Sequence, residues 1–365
     1  MEKDVYSKLC RHLNNHLVGC PETEEGLEIL ESRFTPEEAE LALHVPPPGF
    51  AEDAATIAKA ANKDEATAQE MLELMCDKGT VKTIEQDPAQ KGKYHLLSTI
   101  PGLLECSMSG KWGENEKQKR LAHLWIDYFD KGGFGHALHP GKVALTRIIP
   151  VESAIAPQLE VLATEHAIEL VDSVEFISLF NCACRHATRL AGEGCGRSEE
   201  TCMHFGDLAK YFTERGFAKR ITKEQAKAIL KKTDEEGLIH LTINTDEGSF
   251  AICSCCSCCC VQLKGLSKLH KPGSVATSRF FAYVDPDLCT AVGACEDRCH
   301  FDAMKIRENG IASADIEKCI GCGLCVSACP HEAISLKERP GYQKPISSMQ
   351  QLAENFIASK ARQLD

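Results

Sequence analysis

Apolar residues recur at helical spacing through the first part of the chain. Between Ala51 and Ile84, Ala54, Ile57, Ala58 and Ala61 share one helical face, and Ala68, Met71, Leu72 and Met75 share another. Gly79 stands where the second helix should close. Val81–Ile84 and Lys93–Leu97 read as strands around the polar loop Glu85–Gly92, so the order is helix, turn, helix and hairpin, the outline of a winged helix. Residues 1–50 read as helical up to the breaker Pro46-Pro47-Pro48-Gly49. Later helical patterns cover Glu114–Phe129, Pro157–Leu170, Phe205–Arg215 and Thr222–Glu236, with a β-rich run at Val174–Phe180, and Arg279–Val284 leads into the C-terminal module. The ending Asp234–His240 echoes Cys76–Lys82, which predicts a second helix-turn-helix-like unit. Lys131–Gly141 is rich in glycine and reads as a flexible surface loop, with His136, His139 and Lys142 near one another. A polar helical tail follows Pro345.

Composition narrows the class without naming a role. With 43% hydrophobic and 26% charged residues over 365 positions, the chain resembles an ordinary globular protein of more than one domain. No run of eighteen apolar residues predicts a membrane span, and the first residues carry no apolar signal core, so a cytoplasmic location is expected. The net charge of −12 argues against nucleic acid as a partner. The would-be recognition helix of the winged-helix outline points the same way, since it carries Asp64, Glu65, Glu70, Glu73 and Asp77. A redox partner with a basic docking face would suit this charge. No Walker, dinucleotide or flavin motif stands out.

Cysteine changes the picture. Of 21 cysteines, Cys10, Cys20, Cys76 and Cys106 stand alone, and the rest fall in three knots between Cys182 and Cys329. Adjacent cysteines seldom meet disulfide geometry with each other, so metal is the better reading of such tight spacing. The last knot contains Cys319-Ile-Gly-Cys322-Gly-Leu-Cys325-Val-Ser-Ala-Cys329-Pro330. Three thiolates on a tight loop can grip three corners of an iron–sulfur cube, while the fourth points to a second cluster. A weaker copy lies thirty residues upstream, with Cys289, Val292, Cys295 and Cys299 in the matching places.

Over about sixty residues this double motif resembles the bacterial dicluster ferredoxins. The resemblance implies that Cys319, Cys322, Cys325 and Cys299 hold one [4Fe-4S] cluster, and that Cys289, Cys295 and Cys329 hold a second. Two residues depart from the family pattern. His300 replaces the proline after the crossing cysteine, which reads as a minor change. Val292 replaces a ligand, and valine cannot bind iron. The second cluster is therefore expected as [3Fe-4S]. The alternatives are a substitute thiol or histidine, and an iron open to solvent or a small ligand.

The first knot holds Cys182, Cys184, Cys195 and Cys202, and the second holds Cys253, Cys255, Cys256, Cys258, Cys259 and Cys260. On an extended segment Cys182 and Cys184 would share a face, and Gly192, Gly194 and Gly196 would let Cys195 and Cys202 swing round to one metal. Each knot is read as an upstream iron–sulfur site, with zinc or inert core thiols as the alternatives. Arg185 beside the first knot reads either as a charge that tunes a cluster or as an ordinary surface residue, and His204 and His240 as structural histidines. The order of these runs resembles that of bacterial ferredoxin-domain proteins with cysteine-rich middles.

The expected fold is α+β. Residues 1–110 form a helical and winged-helix-like domain, 111–280 a cysteine-rich α+β middle that binds clusters, 281–340 a bacterial ferredoxin-like module, and 341–365 a helical tail. The expected function is single-electron transfer to or from a partner oxidoreductase in an anaerobic or low-oxygen cytoplasm. An enzyme using an upstream cluster for reductive or thiol–disulfide chemistry is the alternative, and a cluster-based redox regulator comes third.

Overall fold

The computed structural model describes residues 2–84, 87–141, 143–156 and 161–361. Helices and strands are mixed along the chain, so the fold is α+β. It divides into two compact units. One comprises Met1–His139, Phe180–Glu199 and Asp207–Arg220, and the other Pro140–Leu179, Glu200–Gly206 and Ile221–Asp365.

In the first unit, helices Glu2–Asn14, Glu24–Arg33 and Pro36–Ala42 precede the proline run. Helices Ala54–Ala60 and Glu65–Lys78 start on Asp53 and Asp64, whose carboxylates accept the N–H groups of Thr56 (2.7 Å) and Thr67 (2.9 Å). Ile57, Ala58, Ala68, Leu72 and Met75 are buried, the faces that the apolar spacing predicts. An antiparallel hairpin follows, β1 (Val81–Ile84) with β2 (Lys93–Leu96), paired from Val81↔Leu96 to Ile84↔Lys93. Tyr211 ties this arrangement together, its hydroxyl donating to the carbonyls of Cys76 (2.9 Å) and Val81 (2.8 Å).

The expected loop at Lys131–Gly141 is not a flexible one. Phe134–Leu138 is a short helix, and Phe134, 1% exposed, stacks on Tyr128 with ring centroids 5.0 Å apart. Apolar burial of that one aromatic outweighs the glycines around it. His139 is also buried, while Lys142 lies outside the described residues. The four isolated cysteines are all buried, and the thiols of Cys10 and Cys20 lie 3.5 Å apart.

The main sheet has strands β3 (Thr146–Ile149), β4 (Ile177–Asn181), β5 (Glu200–Phe205), β6 (Lys219–Ile221), β7 (Ile239–Ile243) and β8 (Ala251–Cys255), in the order β3-β7-β8-β5-β4-β6, with β3, β5, β7 and β8 in the second unit. Side-chain alternation sorts two cores. Ile149, Met203 and Ile252 face helices Ala167–Asp172 and Lys223–Glu235. Ile148, Leu241 and Cys255 face the other way, onto Leu263, Phe280, Ile320 and Leu324. The predicted helix Pro157–Leu170 is shorter than expected: 157–160 lie outside the described residues, and the α-helix begins at Ala167.

The second helix-turn-helix-like unit does not form. The two predicted helices are present, but β6 separates them and Ile239–Ile243 is an interior strand rather than a wing. The run from Leu238 to Thr242 is buried, which an exposed hairpin would not allow.

The C-terminal part adds β9 (Phe280–Val284), β10 (Met304–Ile306), β11 (Ala312–Ala314) and β12 (Ile334–Glu338). β9 pairs antiparallel with β12, and β10 with β11. Helices Ala294–Asp297 and Leu324–Ala328 sit in matching places of this repeat, and helix Met349–Ala361 closes the chain with Leu352 and Phe356 buried. Among the described residues, no helix is long and apolar enough to cross a membrane.

Gly79 supplies a test of the first unit. Its φ is +71°, and an added Cβ would come within 2.3 Å of Cys106 Cβ and 2.9 Å of Phe217. Gly79→Ala should therefore cost roughly 2–4 kcal/mol, the left-handed penalty plus overpacking. Chemical denaturation should show a clear loss of stability, and an unchanged midpoint would contradict this packing.

Candidate metal centres

The C-terminal repeat opens two cavities, each walled by thiols. One is lined by Cys299, Cys319, Cys322 and Cys325. The other is lined by Cys289, Cys295 and Cys329 together with Val292 and His331. The crossing cysteines Cys299 and Cys329 thus stand with the partners that the ferredoxin resemblance implies.

Local backbone explains the first cavity. Gly321 and Gly323 adopt φ of +73° and +80°, which lets the loop fold its thiols inward. A Cβ on Gly321 would sit 2.1 Å from the carbonyl oxygen of Phe280 and from Ser278 Oγ. The loop is also held by backbone bonds: Val151 N–H donates to Cys322 O (2.9 Å) and Ser278 N–H to Ile320 O (3.1 Å).

Amide N–H groups point at the sulfurs. Ala303 N–H donates to Cys299 Sγ (3.3 Å), Ala312 N–H to Cys289 Sγ (3.4 Å), and the Leu324 amide to Cys322. Such donors offset thiolate charge and help set a cluster's potential. Burial pushes the Cys322 thiol up to about 12, so the free thiol stays neutral and a metal must displace its proton. Four cysteines lining one cavity, with amides directed at Cys299 and Cys322, fit an iron–sulfur cube there. The second cavity offers only three sulfurs. Val292 lines it and is 55% exposed.

His300 does more than the sequence indicates. Its Nε2–H donates to Gly237 O (2.7 Å), leaving Nδ1 to accept from the Ser257 hydroxyl (3.1 Å). Arg298 donates to the carbonyls of Asp234 (2.6 Å) and Glu235 (2.8 Å) at the end of helix Lys223–Glu235. These two residues flank Cys299 and fasten its loop to the second cysteine knot and to the end of helix Lys223–Glu235. Proline at 300 would supply neither hydrogen bond.

The second knot separates by backbone geometry. Cys253 and Cys255 end β8 and share a face, while Ser254 points the other way to Thr233 (3.1 Å) and His240 (3.0 Å). The Cys255 thiol hydrogen-bonds to those of Cys253 and Cys260. Cys256, Cys258 and Cys259 gather at the turn beyond, with sulfurs within 4.8 Å of one another. Cys258 is exposed and its sulfur lies 3.7 Å from that of Cys259.

The first knot is arranged differently from the extended segment expected. Cys182 is the N-cap of helix Ala183–Leu190, and Cys184 lies in its first turn. Glu199 latches the following loop, with its carboxylate 2.8 Å from His186 Nδ1 and bonded to Arg189, while its carbonyl accepts Cys182 N–H (2.7 Å). Cys182, Cys184 and Cys195 belong to the first unit, whereas Cys202 lies in β5 of the second. Arg185 is not a surface residue: it is buried and donates to Ser198 O. His240 is structural, held by Asp234 (2.6 Å) and Ser254. Burial pushes His204 down to about 4, so it is neutral at pH 7.

Residues 313–335 match the 4Fe-4S binding domain, which spans Cys319, Cys322, Cys325 and Cys329. No curated protein and no solved structure matches the chain. The cysteine cavity and this match together make the chain an iron–sulfur protein.

Gly321→Ala should force the loop off Phe280 and remove about four irons per chain, the content of one cube. Gly310→Ala, with open space around it, should keep full iron despite its φ of +72°. Equal iron in both variants would show that the loop does not depend on this close approach.

Proposed function

We propose that this chain is an electron relay that passes single electrons through several clusters, to or from a partner oxidoreductase. The observation that carries this reading is the pair of thiol-walled cavities within one small repeat. Cys299, Cys319, Cys322 and Cys325 hold a [4Fe-4S] cluster. With a thiolate for every iron, it has no open position for a substrate, and what remains for it is to accept and give electrons. Cys289, Cys295 and Cys329 hold a [3Fe-4S] cluster, because Val292 brings no donor atom to the fourth corner. Losing a thiolate raises the potential, so the two clusters differ and electrons have a preferred direction.

The partner presents a basic face, matched to the net charge of −12. Nucleic acid is not the partner. The helix Glu65–Lys78 offers acidic side chains, and Arg215 is engaged with Glu73 (2.8 Å) and Asp77 (2.9 Å) of that helix. In the first unit Cys182, Cys184 and Cys195 remain ligand candidates, as do Cys256, Cys258 and Cys259 in the second. One observation favours a second reading. The exposed Cys258 beside Cys259 gives small molecules access to that thiol group, as an enzyme reducing disulfides would require.

Protein prepared without oxygen and with iron supplied should be brown and, when oxidised, show a [3Fe-4S] EPR signal. Val292→Cys should abolish that signal and add about one iron per chain. A wild-type protein without the signal, losing iron only on His331→Ala, would replace the [3Fe-4S] reading by histidine ligation. The relay itself is tested with a basic one-electron acceptor, cytochrome c. Reduced protein should reduce it at a rate that falls with salt, and failure to transfer electrons would overturn the relay.

A further inference from the structure

We infer that β5 and β8 carry a metal site that neither upstream knot holds alone: Cys202 joins Cys253, Cys255 and Cys260 as ligands of one iron–sulfur cluster. β5 and β8 pair antiparallel with Cys202 directly opposite Cys253. Residues so opposed project to the same face, with Cβ atoms about 4.5–5.5 Å apart. Cys255 lies two residues on, on the same face, and its thiol contacts both Cys253 and Cys260. Cys260 comes from the N-cap of helix Val261–Ser267, which turns back over the strand end. Strand pairing and alternation thus put Cys202, Cys253 and Cys255 on one face, and the Cys255 thiol reaches Cys260 at the helix start.

Their surroundings favour a cluster over inert thiols. Cys202, Cys255 and Cys260 are 8%, 3% and 4% exposed. Four thiols converging in an apolar core make poor packing and weak mutual hydrogen bonds, while four thiolates are a complete ligand set for a cube. Zinc would accept the same set, but its structural sites stabilise folds that lack a core. Here the sheet is already covered on both faces. The position also has a redox logic. Cys255 and Cys260 share a core with Ile320 and Leu324, and Cys322, a ligand of the ferredoxin-like cluster, packs against it.

The site rests on the relay reading for its role and extends it. One electron leaves the cluster at Cys322 and reduces the cluster at Cys202, with no bond made and no proton moved. The remaining thiols of the second knot, Cys256, Cys258 and Cys259, then form a separate group rather than part of one six-thiol site.

The full chain, prepared without oxygen, tests the assignment by metal analysis and Mössbauer spectroscopy. Cys202→Ser and Cys260→Ser should each remove about four irons and the same spectral component, and the double variant should remove no more. Serine is a good helix N-cap, so Cys260→Ser keeps the fold even if Cys202→Ser does not. Cys76→Ser, a buried thiol far along the chain, should keep full iron. The site is overturned if the two variants lose different components, if neither loses iron, or if zinc is recovered in place of iron. A cluster that is present but not reduced by the ferredoxin-like module would leave the site standing and remove the relay.

Discussion

The pairing of β5 with β8 is the interaction on which the second unit depends. A strand has two faces and a period of two, so a slip of one residue would exchange them completely. In the observed register Met203 and Ile252 enter one core, while Cys202, Cys253 and Cys255 line the other side. Shifted by one, the thiols would face helices Ala167–Asp172 and Lys223–Glu235, and two large apolar side chains would face the cluster module. Both cores resist that slip, so packing energy spread over many apolar residues fixes where a few sulfurs point.

The same economy governs the C-terminal repeat. Two similar halves exchange one cysteine each, Cys299 and Cys329, so each cavity is lined by cysteines from both halves. Symmetry would give equal sites, and single residues break it. Val292 lines one cavity and offers no donor atom. His300 and Arg298 give the other something a symmetric ferredoxin-like module would lack, a fixed attachment to the helix end at Asp234–Gly237 and to Ser257. The departure from proline at 300 therefore has a structural cause, the need for two ring nitrogens where proline has no donor.

What the sequence made legible was local. The spacing from Cys319 to Pro330 is confined to twelve residues, and its chemistry needs only a tight turn and a helix start. The helices around Ala54–Lys78 were readable for the same reason, with caps and apolar faces contained in the segment. What escaped reading depends on distant partners. Nothing near Cys202 announces that Cys253 lies opposite. The glycines at 132, 133 and 135 read as flexibility because the decisive contact, Phe134 on Tyr128, is a packing fact. Cys182 and Cys184 read as extended because a β-rich run precedes them, yet the helix begins at Ala183. Arg185 was ambiguous in sequence, and only the carbonyl of Ser198 shows why it is buried.

These buried thiols also couple folding to metal. In the apolar core the neutral thiol is favoured, and burial, reinforced by the neighbouring thiols, raises Cys322 and Cys325 above the usual thiol range. A cluster must release those protons to bind, so the ligands' affinity for iron works against their burial. That opposition is resolved when charge is spread over a whole cube and met by amides such as those of Ala303 and Ala312. A lone thiolate in the same place would have no such relief. On the proposed assignment the sites would be all-or-none, each sulfur tolerable in the core because its neighbours would share a cluster.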